Sequence, residues 1–170
     1  VNWNIPQVVT VTGADDSLDD GSVGFSIVTG SGLSPDPNFD DVAVSDVAVT
    51  NTDNDVSGIT VSAISGNTTE TGGTATFTVV LDAQPTADVT VGLGSSDTTE
   101  GTVSPASVTF TSANWNTPQT VTVTGVNDSL DDGDIAFSIV TAAAASADGN
   151  YSGLNPANVA ATNIDDDASG

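Results

Sequence analysis

The chain contains no lysine, arginine or histidine, and its 23 acidic residues give a formal net charge of −23. Binding to nucleic acid and attraction to anionic membrane surfaces both need cationic side chains, so neither partner is expected. Without histidine, lysine or cysteine the common acid–base and nucleophilic sets cannot be assembled, so we do not expect an enzyme. A glycosidase that uses two carboxylates is the catalytic alternative that this composition leaves open.

Cysteine and methionine are absent as well. Because no disulfide framework can form, stability must come from a hydrophobic core or from bound metal. The chain also lacks a run of about 18 apolar residues, so direct membrane insertion is not expected. Hydrophobic residues nevertheless reach 37%, and Val, Ile, Phe and Thr recur in alternation. This pattern indicates a folded β protein and not acidic disorder.

An internal repeat is the strongest signal in the sequence. The segment "NWNIPQVVTVTGADDSLDDGSVGFSIVT" at 2–29 returns as "NWNTPQTVTVTGVNDSLDDGDIAFSIVT" at 114–141, an offset of 112 residues that continues without a gap to the end. We therefore interpret 1–58 as the C-terminal half of one repeat and 59–170 as a complete repeat, in a tandem array of whole domains. Residues 1–58 alone would leave strand edges and an apolar face uncovered. Either the sequence is an excerpt from a longer array, or another chain supplies the missing strands.

Short alternating segments separated by Gly, Pro, Asn and Ser predict seven strands in the complete repeat. They lie at 58–65, 73–82, 87–94, 106–112, 118–126, 134–142 and 157–164. Seven strands in about 110 residues, with no helical pattern, favour an all-β fold: an immunoglobulin-like, antiparallel Greek-key β-sandwich that is repeated in tandem. The segment 142–150 is interpreted as a long loop.

The acidic residues are not spread evenly over this predicted sandwich. If successive strands run antiparallel, most of the loops that carry acids share one end of the domain. That end of the complete repeat holds Glu70, Asp97, Glu100, Asp128, Asp131, Asp132, Asp134, Asp165, Asp166 and Asp167. The opposite end holds only Asp82, Asp88 and Asp148. The partial repeat adds Asp15, Asp16, Asp19, Asp20, Asp53 and Asp55 to the acidic end.

Carboxylates that converge from several loops, in a chain without basic residues, need cations. Calcium takes six to eight oxygen ligands in flexible geometry, whereas zinc and copper favour Cys or His. We therefore predict Ca²⁺ as the cofactor, with ligands drawn from Glu70, Asp97, Glu100, Asp128, Asp131, Asp132, Asp165, Asp166, Asp167, Asp15, Asp16, Asp19, Asp20, Asp53 and Asp55. The alternative is that these acids only keep the surface soluble. The site is not an EF-hand, because Leu130 and Ile139 occupy the third and twelfth positions of the loop that starts at Asp128.

These acidic segments and their flanking strands resemble the Calx-beta family, a calcium-binding sandwich that also occurs in tandem in large secreted and surface proteins of bacteria. The matching segments are "TETGGTATFTVVL" (69–81), "SSDTTEGTVSPASVTFTSANW" (95–115), "TVTVTGVNDSLDDGD" (120–134) and "VAATNIDDD" (159–167). The resemblance implies that calcium is held by Glu70, Asp97, Asp128, Asp132, Asp165, Asp166 and Asp167. Asn127 departs from the family, which often has Asp there.

The resemblance implies an extracellular or cell-surface location and a structural role in a stalk, adhesin or surface filament. Calcium at the acidic loops and inter-domain linkers would stiffen the array, and the partners would be neighbouring repeats or identical chains. Two alternatives stay open. The chain could be a self-assembling filament subunit that a neighbouring chain completes, or a module that binds glycan or ice. Trp3, Trp115 and the outward rows of threonine are the residues that a glycan- or ice-binding surface could use.

Overall fold

The structure is a computed structural model that describes residues 3–168. The outermost residues of the two predicted repeats, 1–2 and 169–170, lie outside the described residues. Contacts divide the chain into two compact units. Unit 1 comprises Val1–Asp16 and Asp20–Asn54, and unit 2 comprises Ser17–Asp19 and Asp55–Gly170. Within residues 3–168 every regular element is a strand, so none of the described segments forms a helix that could cross a membrane.

Unit 1 contains one antiparallel pair of strands. These are β1 (Val23–Ile27) and β2 (Val47–Asn51), paired so that Phe25 lies opposite Val49.

Unit 2 is built from two sheets. Its strands are β3 (Ile59–Val61), β4 (Thr68–Thr69), β5 (Thr74–Leu81), β6 (Val89–Ser95), β7 (Gly101–Ser104), β8 (Ser107–Phe110), β9 (Gln119–Gly125), β10 (Ile135–Thr141), β11 (Ala145–Ser146) and β12 (Val159–Ile164). One sheet has the order β3-β5-β9-β7. The other has six strands, five of them in the order β11-β6-β10-β12-β4, and the sixth, β8, also pairs with β6. All pairs in unit 2 are antiparallel except β12 with β4.

Alternation of residue type places the core between these sheets. In β5 the sequence TATFTVVL buries every second residue, so that Phe77 and Val79 point inward while the threonines stay partly exposed. Val91 of β6 and Ile139 of β10 meet them from the other sheet, and both are fully buried. Burying a side chain of this size stabilises the fold by roughly 1.5–3 kcal/mol. This core sets the spacing of the loops at both ends of unit 2.

The prediction of an all-β, immunoglobulin-like sandwich is confirmed, and each of the seven predicted strands is present in unit 2. Three further strands, β4, β7 and β11, were missing from the prediction. The interpretation of 142–150 as a long loop is wrong, because this segment contains β11 and the buried Asp148. Both Asp148 carboxylate oxygens accept backbone hydrogen bonds, from Thr86 at 2.7 Å and Asn150 at 2.9 Å. These bonds lower the pKa of Asp148 against the opposing effect of burial, which is the largest single influence on it.

Tyr151 and Trp115 close the core of unit 2. Tyr151 is fully buried, and its hydroxyl donates to the carbonyl of Ala83 and accepts the Ala83 amide at 3.1 Å. Trp115 is partly buried and packs against the core together with Leu154. Trp115 therefore helps to close this end of the core.

Candidate metal centre

Two groups of three carboxylates lie in unit 2. Group A consists of Glu70, Asp165 and Asp167, and group B consists of Glu100, Asp128 and Asp132. Within each group, one oxygen from every residue lies within 4.8 Å of the others. Two oxygens on one calcium ion, each at 2.3–2.6 Å, lie at most about 5 Å apart. The spacing in both groups therefore fits a shared cation of this kind.

Group A is positioned by the parallel pairing of β12 with β4. Ile164 is the register partner of Thr69, so the next residue on each strand, Asp165 and Glu70, leaves the sheet at the same place. The Glu70 amide donates to the carbonyl of Ile164 at 3.0 Å, which continues this pairing by one more bond. A short strand of two residues, β4, thus brings an acid of the first loop beside the aspartates that follow the last strand.

Group B is positioned by β7 and β9. Gly101 is the register partner of Gly125, and the Val126 amide donates to the carbonyl of Glu100 at 3.0 Å. Glu100 therefore stands beside the start of the β9–β10 loop, which carries the two aspartates of group B. The β9–β10 loop, residues 126–134, is called the acidic loop, and it meets the β6–β7 connection at this point.

The two glutamates differ from the aspartates in being buried. Glu70 is 3% exposed and Glu100 is 6% exposed. The Oε2 atom of each lacks a hydrogen-bond partner among the described residues. A buried polar atom without a partner is rare in folded proteins and unfavourable by a few kcal/mol, and an ionised one more so. Each group therefore contains a glutamate with one unpartnered carboxylate oxygen, and a cation bound to the group could satisfy that oxygen.

Burial and repulsion act on the protonation of both groups. Burial raises the pKa of Glu70 from its ordinary value, and the charges of Asp165, Asp128, Asp167 and Asp132 raise it further. Without a bound cation, protonation of Glu70 is therefore more favourable than that of an ordinary glutamate, and a bound cation would oppose it.

The pKa of Glu100 is likewise raised, chiefly by burial, with smaller contributions from Asp132, Asp97 and Asp128, while a hydrogen bond from Asn163 opposes the shift. The pKa of Asp167 is raised by burial first and then by its acidic neighbours.

Asn163 links the two groups. This side chain is 1% exposed and lies one residue before the end of β12. Its Nδ2 donates to the carbonyl of Val126 at 3.0 Å, and its Oδ1 accepts the Thr68 hydroxyl at 3.0 Å. Its side chain also lowers the pKa of Glu100. Asn163 therefore ties β4, which leads into group A, to the start of the β9–β10 loop, which carries the aspartates of group B.

Gly125 leaves the space in which Asn163 lies. A Cβ atom at this position would meet the backbone carbonyl of Thr69 and the Oδ1 of Asn163. Since a strand backbone cannot move aside as a flexible side chain can, we expect Gly125→Ala to destabilise unit 2 by about 1–3 kcal/mol. Gly94→Ala is the matched control, because a Cβ at this strand position meets nothing within 4 Å. Urea unfolding monitored by tryptophan fluorescence measures both, and equal midpoints would contradict the prediction.

Backbone amides compensate part of the negative charge of the acidic loop. Gly133, whose φ of 77° lies in the left-handed region, donates its amide to Asp165 Oδ2 at 2.7 Å. Asp167 donates its amide to Asp165 Oδ1 at 2.8 Å, and Leu130 donates its amide to Asp128 Oδ1 at 2.7 Å. These bonds fix the loop and the segment after β12 against each other, but they leave the glutamate Oε2 atoms unpaired.

Three predicted ligands of the complete repeat, 59–170, lie outside the two groups. Asp97 accepts the amide of Thr99 at 3.0 Å and also its hydroxyl, and these bonds lower the Asp97 pKa. Asp131 and Asp166 act on group A through their charges, since both raise the pKa of Asp167. Asp131 and Asp166 therefore contribute to the electrostatic field at group A without belonging to either group.

The predicted ligands of the partial repeat form no such group within residues 3–168. They are Asp15, Asp16, Asp19, Asp20, Asp53 and Asp55. Asp53 Oδ2 accepts the Gly21 amide at 2.7 Å, and Asp19 Oδ2 accepts the Ser57 amide at 2.8 Å. The structure therefore does not bring these six residues together as it does the six carboxylates of groups A and B.

Sequence reasoning named all six carboxylates of the two groups but missed Asn163 and Gly125. A signal for both was available, because the repeat carries Asn51 and Gly13 at the equivalent positions. Asn51 donates to the carbonyl of Ala14 at 2.7 Å, and a Cβ on Gly13 would meet the Asn51 side chain. A polar residue at an inward strand position, repeated together with its glycine, indicates a structural pair.

No family model and no curated protein matches the chain. Solved structures that are similar include two proteins of Caenorhabditis elegans: SSP-19, an MSP-domain protein like family member, and WR4, an MSP family member. SSP-19 is 14% identical over 58% of this chain and 92% of its own, with a TM-score of 0.38. WR4 is 14% identical over 61% of this chain and 97% of its own, with a TM-score of 0.37. At this level of similarity neither neighbour indicates a function, and the resemblance to Calx-beta stays a prediction.

Proposed function

We propose that this chain is a calcium-stiffened structural module of Calx-beta type, in which two cations bind at groups A and B of unit 2. The observation that carries the proposal is the pair of buried glutamates, each with an unpartnered Oε2 and each grouped with two aspartates from other segments. An all-oxygen, fully anionic donor set suits a hard divalent cation.

Mechanically, the cations would join segments that are distant in the chain. Group A connects the turn after β4 to the segment after β12, and group B connects the β6–β7 connection to the acidic loop. Calcium supplies the positive charge that this chain lacks, so occupied groups would fix the direction in which the chain leaves β12. A module of this kind transmits position along a stalk, adhesin or surface filament and needs no catalytic chemistry.

The proposed location is extracellular or at the cell surface. Extracellular modules bind calcium with dissociation constants of about 10⁻⁴–10⁻³ M, which suits surroundings where calcium is millimolar. The partners in this proposal are neighbouring repeats of the same protein. A chain without cationic side chains avoids competition from its own lysines or arginines for the carboxylates.

Isothermal titration calorimetry of the whole chain tests the proposal. We expect two calcium ions per chain at unit 2, one of them lost in Glu70→Gln and the other lost in Glu100→Gln. Asp88→Asn is the matched control, since it removes one exposed acid that precedes β6, at the end of that strand remote from both groups. Magnesium should bind more weakly, because it demands near-ideal octahedral geometry and dehydrates reluctantly. If both glutamate variants retain two ions, the assignment of the sites is wrong.

A further inference from the structure

Unit 1 repeats the last strand pair of unit 2 residue for residue. In β1 and β2, Val23 pairs with Asn51 and Ile27 pairs with Val47. In β10 and β12, the same positions plus 112 form the same pairs. Unit 1 therefore contains the equivalent of the β10–β12 pair in the same register. This pair and residues 7–13 are called the rear half.

The apolar side chains of this rear half are uncovered. Phe25 is 38% exposed, whereas its equivalent Phe137 is 6% exposed. Phe39 is 65% exposed, whereas its equivalent Tyr151 is fully buried and holds Ala83 through its hydroxyl. Ala83 belongs to the segment 59–112, which provides the cover in unit 2. The exposed face of unit 1 thus has a known counterpart that shows what covers it.

One segment of unit 1 is not a strand although its sequence is that of one. Residues 7–13 read QVVTVTG, and β9 reads QTVTVTG. β9 lies between β5 and β7, which supply hydrogen bonds on both of its edges. Residues 7–13 are assigned to no strand, and Val9 is 79% exposed where its equivalent Val121 is buried. The difference arises from the missing neighbours and not from the local sequence.

The acidic residues of unit 1 are incomplete in the same way. The bond from Gly21 to Asp53 repeats the bond from Gly133 to Asp165, both at 2.7 Å. Unit 1 also contains counterparts of the two aspartates of group B, at positions 16 and 20, whereas Asp55, the counterpart of Asp167, belongs to unit 2. The buried glutamates of both groups, however, come from the segment 59–112. Within the described residues, unit 1 therefore has neither the strand partners nor the glutamates, and one segment would provide both.

We propose that the rear half in unit 1, consisting of residues 7–13 with β1 and β2, binds a second copy of the segment 59–112 and forms a complete sandwich with it. The second copy would supply the equivalents of β5, β6 and β7 as neighbours and the equivalents of Glu70 and Glu100 as ligands. Its binding would consequently be strengthened by calcium, a part of the inference that rests on the proposed function. Residues 59–112 of the chain itself are already engaged within unit 2, so a further copy is required.

The direct test adds a peptide of residues 59–112 to the whole chain. We expect a complex of one peptide per chain and new protection from hydrogen exchange at residues 7–13. In calcium at about 100 times its dissociation constant, each completed site should strengthen peptide binding by about 100-fold relative to calcium-free buffer. A peptide that carries Glu70→Gln and Glu100→Gln should lose this gain while it still binds through its strands.

Two controls locate the complex. Phe25→Asp alters only unit 1 and should abolish the new protection, and a peptide of scrambled sequence should give none. Since the free peptide consists of unpaired strands and can aggregate, the same readouts are taken on a fused chain in which a second copy of 59–112 is joined directly to Val1. This junction preserves the spacing of the repeat, because Val1 is equivalent to Ala113.

Failure of the inference is distinct from failure of the proposed function. Absence of new protection at residues 7–13 in both the mixture and the fused chain overturns the docking, as does exchange of the peptide into unit 2 alone. Equal peptide affinity with and without calcium overturns the coupling. Calcium binding to unit 2 is titrated separately in the chain without peptide. If that titration shows no bound calcium, the proposed function is overturned and the strand docking is not affected.

Discussion

Calcium should raise the melting temperature of unit 2 by roughly 10–20 °C for each occupied site. A ligand at about 100 times its dissociation constant stabilises the native state by about 2.7 kcal/mol, and a domain of about 100 residues gains about 4–8 °C for each kcal/mol. The reason is the unpartnered oxygen in each group, which is unfavourable in the calcium-free fold and satisfied in the bound one. Calorimetric melts in millimolar calcium and in a chelator measure this difference.

The glutamate variants make this expectation sharper, because their effect should reverse in sign. Without calcium, Glu70→Gln removes a buried charge that faces Asp165 and Asp167, so the melting temperature should rise. With calcium, the same variant lacks a ligand and should melt below the unchanged chain. Glu100→Gln should behave likewise at group B. The melting temperature of the Asp88→Asn control should change little in either buffer. A glutamate variant whose melting temperature changes in the same direction in both buffers would contradict a cation site.

Local sequence was enough to predict most of the fold of unit 2. The alternation of Thr with Val and Phe in β5 and β9 follows from the pleat of a strand with one buried face. The same reasoning fails for residues 7–13, which have nearly the sequence of β9 and form no strand. Strand formation there depends on neighbours that are remote in sequence, and a local pattern carries no information about whether they are present.

The sequence was enough to predict a cluster of acidic residues, but not its partition into groups A and B. Assigning each acid to its loop predicted that most of them lie at one end of the sandwich, because alternate loops between antiparallel strands lie at the same end. The partition into two groups depends on β4 and β7, which are short and have no clear alternation. The parallel pairing of Ile164 with Thr69 decides which glutamate meets which aspartates. Asp97 lies outside both groups, and its carboxylate is bonded to Thr99 within its own turn.

The stability of the calcium-free chain should fall as the pH rises from about 4.5 toward neutrality, and calcium should reverse this dependence. Burial, and then the surrounding aspartates, raise the pKa values of Glu70 and Glu100 above their ordinary value of 4.5. The folded state therefore retains protons that the unfolded state releases, so unfolding becomes more favourable as the pH passes through this range. Asp97 and Asp148 have lowered pKa values and act in the opposite sense, but their contribution is lost only as the pH falls below about 3.8.

Calcium competes with these protons for the same glutamate oxygens, so in its presence stability should rise over the interval in which it otherwise falls. Urea midpoints at pH 4.5, 5.5, 6.5 and 7.5 measure the two curves, in buffers freed of calcium by a chelating resin and in buffers with added calcium. The double variant Glu70→Gln with Glu100→Gln should reduce the slopes of both curves, because only Asp167 of the three acids with raised pKa values remains. Asp88→Asn should leave both slopes unchanged. Parallel curves with and without calcium would show that the cation and the protons do not share a site.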